Sequence, residues 1–444
     1  MGVVKTMTWS LARTWLKGRA LVERSWHWLS VIHRRLVFRF CPISEEQRNI
    51  WLLYADIAFQ GIVAGGAAAY LAVFAVRLGA STYLVSLLTS LPSLLTAVAA
   101  IPAGRIVARQ RRLVTTVAKA RVGFRVAYLL VALVPWLAPT WAPQAIVAIW
   151  AMAAIPSSFA MISFTTSMAE IIPVRRRAAV VSTRYAIHAC VSAAVLPFTG
   201  KLLESLPFPT GYQVVFAISF LAGMLSVLTF SRIRIPDQTL RPMDDEDVGF
   251  AERLLGAWRD LRAHPRFTGY LLSATLFRLG MNLPLALFSV FWVNYLHLTD
   301  GNIALATMLN NLTLVIGYFV WGSVASRRGH GPVLVCSTIG LAAYPVLTAF
   351  AHSLTPILFA ALVGGLFSAG LNLAFFNVLL ALAPADRRSA YVALNSVSAN
   401  GMSFLGPILG SVVADVLGIR PAFLLAGAVR LLGGLLFAVK RVRD

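Results

Sequence analysis

From Asn49 to the end of the chain, apolar residues fall into long runs separated by short polar turns. The runs lie at roughly 50–76, 82–103, 114–136, 144–172, 179–203, 211–231, 267–295, 303–325, 332–351, 355–383, 390–416 and 421–439. Each reaches or approaches the ~20 residues that a helix needs to cross a bilayer. Lipid offers no partner to an exposed backbone, so only helices or closed barrels span it, and these runs lack the alternation of a barrel strand. The pattern predicts an all-α membrane protein with twelve transmembrane helices.

Composition agrees. Hydrophobic residues are 58% of the 444 and charged residues 13%, against roughly half and a quarter in soluble chains. The formal charge of +22 raises nucleic acid as a partner, but its placement argues otherwise. Basic residues precede the first run (Arg34, Arg35, Arg39, Arg48) and follow the second (Arg105, Arg109, Arg111, Arg112), the fourth (Arg175, Arg176, Arg177) and the eighth (Arg327, Arg328). They recur between the sixth and seventh, between the tenth and eleventh (Arg387, Arg388) and after the last (Lys440, Arg441, Arg443), all on one side. The other side holds Arg77, Lys201 and Arg420. By the positive-inside rule both termini are expected to be cytoplasmic and the charge to set orientation in the cell membrane. Cys41, Cys190 and Cys336 are scattered, so neither a disulfide framework nor a metal site is indicated.

Four segments follow. Residues 1–48 place Leu11, Trp15, Val22, Trp26 and Leu29 at helical spacing among basic residues, either an amphipathic helix on the inner leaflet or an unstructured tail. Residues 49–231 hold six helices, and 267–444 hold six more with a short basic tail. Between them, 232–266 is a polar loop with an acidic patch and an amphipathic stretch around Phe250, Leu254, Leu255 and Trp258. An offset of 218 carries Phe59 onto Phe277, Gly104 onto Gly322 and Arg109 onto Arg327; an offset of 210 carries Pro197 and Gly200 onto Pro407 and Gly410. Two six-helix bundles related by pseudo-symmetry are expected, with a substrate site between them.

Two motifs sharpen this. "GRIVARQRR" supplies Gly104, Arg109, Arg111 and Arg112 after the second run, and "GSVASRRGHG" supplies Gly322, Arg327 and Arg328 after the eighth. "GMSFLGPILG" on the eleventh run carries Gly401, Gly406, Pro407 and Gly410, and the fifth has a weaker "LPFTG". With twelve runs in two copies, the chain resembles the major facilitator superfamily. Its first motif has an acid where this chain has Ala108 and Ser326, and its proton antiporters carry an arginine in the fourth helix that is missing here. The resemblance implies a secondary transporter working by alternating access. It also implies a cavity lined by the first and seventh helices, peripheral third, sixth, ninth and twelfth helices, and coupling to protons. In the two motif copies the glycine would permit close helix approach and the arginines would anchor a cytoplasmic gate at lipid headgroups.

Charges inside spans are costly and are functional candidates by default. Arg278 lies about 11 residues into the seventh run, too deep to reach the surface easily. Asn282 shares its face, and its counterpart under the 218 offset is Gln60, one turn from Asp56. Arg278, Asn282, Gln60, Asn372 and Asn377 are therefore expected to bind substrate, Arg278 either holding an anionic group or pairing with Asp56. Its alternative is an arginine satisfied between helices. Asp56, Glu170 and His188 are the candidates for proton coupling. Glu170 is equally a gate residue beside Arg175, Arg176 and Arg177, and His188, on one face with Arg184, is equally a structural histidine. Arg121 and Arg125 are expected to snorkel, and Arg430 to be structural.

No Walker sequence or catalytic constellation appears, so neither ATP-driven pumping nor an enzyme is expected, and no cofactor is implied. The expected partners are a small-molecule substrate, membrane lipids and protons, with a monomeric chain. The excess of arginine over acid in the spans points to an anionic or amphipathic organic solute. Lipophilic drug efflux by proton antiport is the rival reading. A third is a non-transporting receptor or scramblase on the same scaffold.

Overall fold

The computed structural model describes residues 44–108, 110, 112–234, 258–383 and 388–439. The expected amphipathic helix before residue 44 and most of the central loop lie outside the described residues, as do Arg109 and Arg111. The described residues from Asn49 onward form one compact unit.

The long helices of the first half are α1 (Glu45–Arg77), α2 (Thr82–Ala108), α3 (Leu113–Leu137), α4 (Ala142–Ile171), α5 (Val174–Ser205) and α6 (Thr210–Ser231). Those of the second half are α7 (Pro265–Tyr295), α8 (Asp300–Arg328), α9 (His330–Ala349), α10 (Leu354–Leu382), α11 (Arg388–Leu417) and α12 (Ile419–Val439). Each predicted run is a helix, and eleven are long and apolar enough to cross a membrane. The other long helix is α3, which carries Lys119, Arg121 and Arg125. Gly329 ends α8 with φ of 80°, a conformation that glycine adopts without cost.

α1 and α7 are not continuous α-helices. In α1 the turn Ala64–Ala68 is a π-helical kink in which Gly66 leaves helical geometry. α7 breaks between Asn282 and Leu285. Pro284 has no N–H to give the Gly280 carbonyl, which opens the ladder there. The 218 offset carries residues 64–66 onto 282–284, so the two irregularities occupy equivalent positions. Each is patched from the last helix of its own half. Ser219 Oγ on α6 accepts from the Ala67 N–H at 3.0 Å, and Arg430 Nε on α12 donates to the Gly280 carbonyl at 3.0 Å.

The halves meet where α2 packs on α11 and α5 packs on α8. Helices in lipid gain little from apolar burial, so small residues that allow close approach carry such contacts. Gly200 on α5 faces Ala304 and Gly301 of α8, where an added Cβ would lie 2.8 Å from the Ala304 Cβ. Ser86 and Ser411 approach to 3.4 Å between α2 and α11.

The apolar core is divided unequally. Toward the end without basic loops, one cluster joins both halves, with Tyr70, Phe74 and Phe216 alongside Phe288, Phe291 and Phe423. Toward the basic end each half has its own. Leu53, Val117, Met168 and Phe230 form one, and Phe267, Tyr270, Tyr391 and Phe437 form the other. A methyl at Gly104, Gly322 or Gly401 would meet nothing within 4 Å among the described residues. The close approach expected at Gly104 and Gly322 is therefore absent in this conformation, because the basic ends of the halves do not share a core. Of the α11 motif, Gly406 packs against Asn282 and Gly410 against the Leu283 carbonyl, beside the α7 break, while Pro407 lies within α11.

Candidate functional site

Asp56 is fully buried on α1 and is the hub of the first half. Its Oδ1 accepts from Arg121 Nη1 of α3 at 2.8 Å and from Ser226 Oγ of α6 at 2.7 Å. Its Oδ2 accepts from Arg184 Nη2 of α5 at 3.3 Å, and Gln60 Nε2 lies 3.2 Å from both oxygens. The two guanidiniums are stacked on rings, Arg121 over Phe230 at 4.5 Å and Phe164 at 5.0 Å, and Arg184 over Phe164 at 4.6 Å. One carboxylate thus holds two arginines. Arg121 and Arg125 are both buried rather than snorkelling. A surface route for Arg121 would leave the buried Asp56 short of a counter-charge, which costs more than the conformational freedom gained. Arg125 lies over Phe124 and Tyr128, and an added Cβ at Gly223 would lie 2.6 Å from its Cδ.

Arg121 and Arg184 also line a cavity of about 600 Å3. Gln60, Phe164, Met168 and Tyr185 contribute to its wall, and Arg177 adds a third cation. No acidic side chain is among the lining residues. The other half of the expected site is organised differently. Arg278 donates from Nη1 to the side-chain and main-chain oxygens of Asn395, at 2.9 and 3.2 Å, with its guanidinium 4.6 Å over the Phe375 ring. The alternative in which Arg278 pairs with Asp56 is not the arrangement found, since each group is satisfied within its own half. Asn282 donates to the Arg278 carbonyl, Asn372 to the Tyr318 hydroxyl and Asn377 to the Leu373 carbonyl. His188 is half-buried on α5, and Glu170 is exposed at the end of α4. Arg112, Arg327 and Arg328 are exposed at the basic end.

A cluster that sequence reasoning missed closes the opposite end. Arg77 Nη2 at the end of α1 lies 2.9 Å from Asp300 Oδ1 at the start of α8, and its Nε donates to the same oxygen at 3.0 Å. Tyr212 OH donates to that oxygen at 2.6 Å, and Tyr70 OH to the Asp300 carbonyl at 2.9 Å. Glu204 Oε1 on α5 accepts from the Gly301 N–H at 3.0 Å, an anion at a helix N-terminus. The signal available in the sequence was an arginine on the acid-poor, base-poor side together with an aspartate opening a helix.

Comparison with known proteins decides the family. The family model of the Major Facilitator Superfamily matches residues 50–299 and 270–444. This chain belongs to that superfamily. It is thus a multi-pass integral membrane protein. The multidrug resistance protein MdtG of Proteus mirabilis is 31% identical over 111 residues, 24% of this chain and 27% of the relative. MdtG of Serratia proteamaculans is 33% identical over 113 residues, 25% and 27% of the two chains. The chain therefore spans about a quarter of the length of these relatives.

Solved structures share the fold at low identity. A POT family transporter in complex with 5-aminolevulinic acid has a TM-score of 0.67 at 12% identity, covering 88% of this chain and 96% of that one. A bacterial homologue of the human lysosomal transporter Spinster, inward-facing and unoccupied, has a TM-score of 0.64 at 14%, covering 90% and 98%. The nucleoside transporter NupG has a TM-score of 0.62 at 12%, covering 90% and 99%.

Proposed function

We propose that this superfamily member carries an organic anion, or an amphipathic solute with an anionic group, between the two sides of the membrane. The observation that carries the reading is the cavity whose wall includes Arg121, Arg177 and Arg184 and no carboxylate. An anion entering it replaces Asp56 as the partner of Arg121 and Arg184, while Phe164 and Met168 cover an apolar body. The topology is twelve spans in two six-helix bundles with both termini on the basic, cytoplasmic side. The conformation is then closed outside, by the Arg77–Asp300 latch and the shared core, and open inside. Alternating access requires the separate basic-end cores to meet while the latch opens, and Gly104 and Gly322 leave room for that approach.

Proton coupling is part of the same proposal. Asp56, freed of Arg121 and Arg184 when an anion enters, is the carboxylate assigned to that coupling. Substrate anion and proton would then move together, leaving the charge of the site unchanged. Drug efflux is the second reading, supported by the MdtG relatives and by the apolar residues Ile57, Met161 and Val181 in the cavity wall.

Flux into proteoliposomes tests both. A panel of organic carboxylates and lipophilic cations is compared on the parent, Arg121→Gln and Arg184→Gln proteins. The anion reading expects carboxylate flux driven by an imposed pH gradient, reduced at least tenfold in each variant. Cation flux indifferent to both substitutions would replace it with the efflux reading, and no substrate-dependent flux would sink both.

A further inference from the structure

A second cavity, of about 260 Å3, lies within the second half between α7, α8, α9, α10 and α12. That is just under the ~300 Å3 at which small-ligand sites begin. Arg430 lines it and is fully buried. Its side chain donates from Nε to the Gly280 carbonyl, from Nη1 to the Leu341 carbonyl at 3.1 Å and from Nη2 to the Met281 carbonyl at 3.3 Å. Guanidinium has five N–H groups, so one remains on each Nη. The carbonyls hold the group in place but carry no net charge, and no carboxylate lines the cavity. Trp292 lines the same cavity, and its Nε1–H is buried with no hydrogen-bond acceptor. Leaving such a donor unmet is destabilising. A fixed cation and an unmet N–H donor in one cavity, walled by Met281, Leu285 and Phe288, match a carboxylate on an aromatic or short aliphatic body.

We infer that this cavity is a second anion site, in which Arg430 and Trp292 bind the acidic group of a small amphipathic acid. The inference rests on the anion reading above and extends it to the other half. Arg430 then has two roles. It patches the α7 break through Gly280, and it couples occupancy of the cavity to the helix that bends there.

The test uses the full chain in detergent and equilibrium binding of 1-naphthoate, with uncharged 1-naphthamide as control. Trp292→Phe removes the N–H while keeping a ring, and because that donor has no partner the melting temperature should hold or rise. Naphthoate should bind about tenfold more weakly to this variant, and naphthamide, an uncharged and weaker acceptor, should lose less. Arg430→Gln also removes the patch on α7 and will melt lower. Its readout is therefore the naphthoate-to-naphthamide affinity ratio, which should fall toward one.

Unchanged naphthoate affinity in Trp292→Phe overturns the inference, as does equal loss for acid and amide or no saturable naphthoate binding by the parent. Failure of the underlying reading looks different. In that case carboxylate flux is indifferent to Arg121→Gln and Arg184→Gln, whatever naphthoate does at Trp292.

Discussion

The two halves hold several of their intramembrane arginines by different means. In the first, Arg121 and Arg184 converge on Asp56, and Ser226 and Gln60 complete its acceptor shell. In the second, Arg278 rests on an amide and an aromatic face, and Arg430 on three carbonyls, with no carboxylate among the partners of either. The two kinks show the same division. Ser219, a neutral hydroxyl, patches α1, while a charged guanidinium patches α7. A carboxylate shared by two arginines is a site that can exchange partners. Carbonyls belong to the backbone and cannot leave. The exchangeable substrate contacts are accordingly proposed at Arg121 and Arg184, whose shared partner is a side chain.

Four substitutions test that contrast. Asp56→Leu should have the largest effect, because it strands two buried guanidiniums; breaking a buried pair costs ~3–5 kcal/mol. Melting in detergent would show it, and adding Arg121→Leu and Arg184→Leu should recover much of the loss. A cost for Asp56→Leu no greater than for the second-half arginines would end the contrast. Arg430→Leu comes next. It orphans the Gly280 carbonyl but also removes an uncompensated charge, for a net loss of ~1–3 kcal/mol.

The latch joins the halves. Asp300→Asn keeps an acceptor for Tyr212 but discharges the pair with Arg77, worth ~1 kcal/mol at a partly exposed site. Its signature is conformational rather than thermal. Spin labels at Trp136→Cys and Phe350→Cys, in a background free of native cysteine, should show a new, longer distance at the end without basic loops. An unchanged distance distribution would remove Asp300 from the gate. The smallest effect is expected at Arg278→Leu, ~1 kcal/mol for a hydrogen bond to an amide and a ring contact. A larger melting loss there than for Arg430→Leu would invert the order within the second half.

Helix positions were legible because each run had to satisfy its own backbone in lipid, and that constraint is local. The equivalence of the halves was legible too, since Phe59 with Phe277 and Gly104 with Gly322 needed only a constant offset. The same offset aligned the α1 and α7 irregularities, although only α7 announces its break with Pro284. The cost of an intramembrane charge marked Asp56 and Arg278 as residues needing a partner. It could not say which partner.

That choice belonged to the tertiary structure. Asp56 is met from α3, α5 and α6, helices 65 to 170 residues away in sequence, and Arg121 looked like a snorkelling residue until that packing was known. Arg278 found Asn395, 117 residues on, and the latch joined Arg77 to Asp300 across 223. The chain by itself determined which segments become helices, where they bend and which side bears the cations, because each of these depends on neighbours within a few turns. Which cation meets which carboxylate, and at which end the halves touch, depends on the lateral order and tilt of whole helices, and no local pattern contains that.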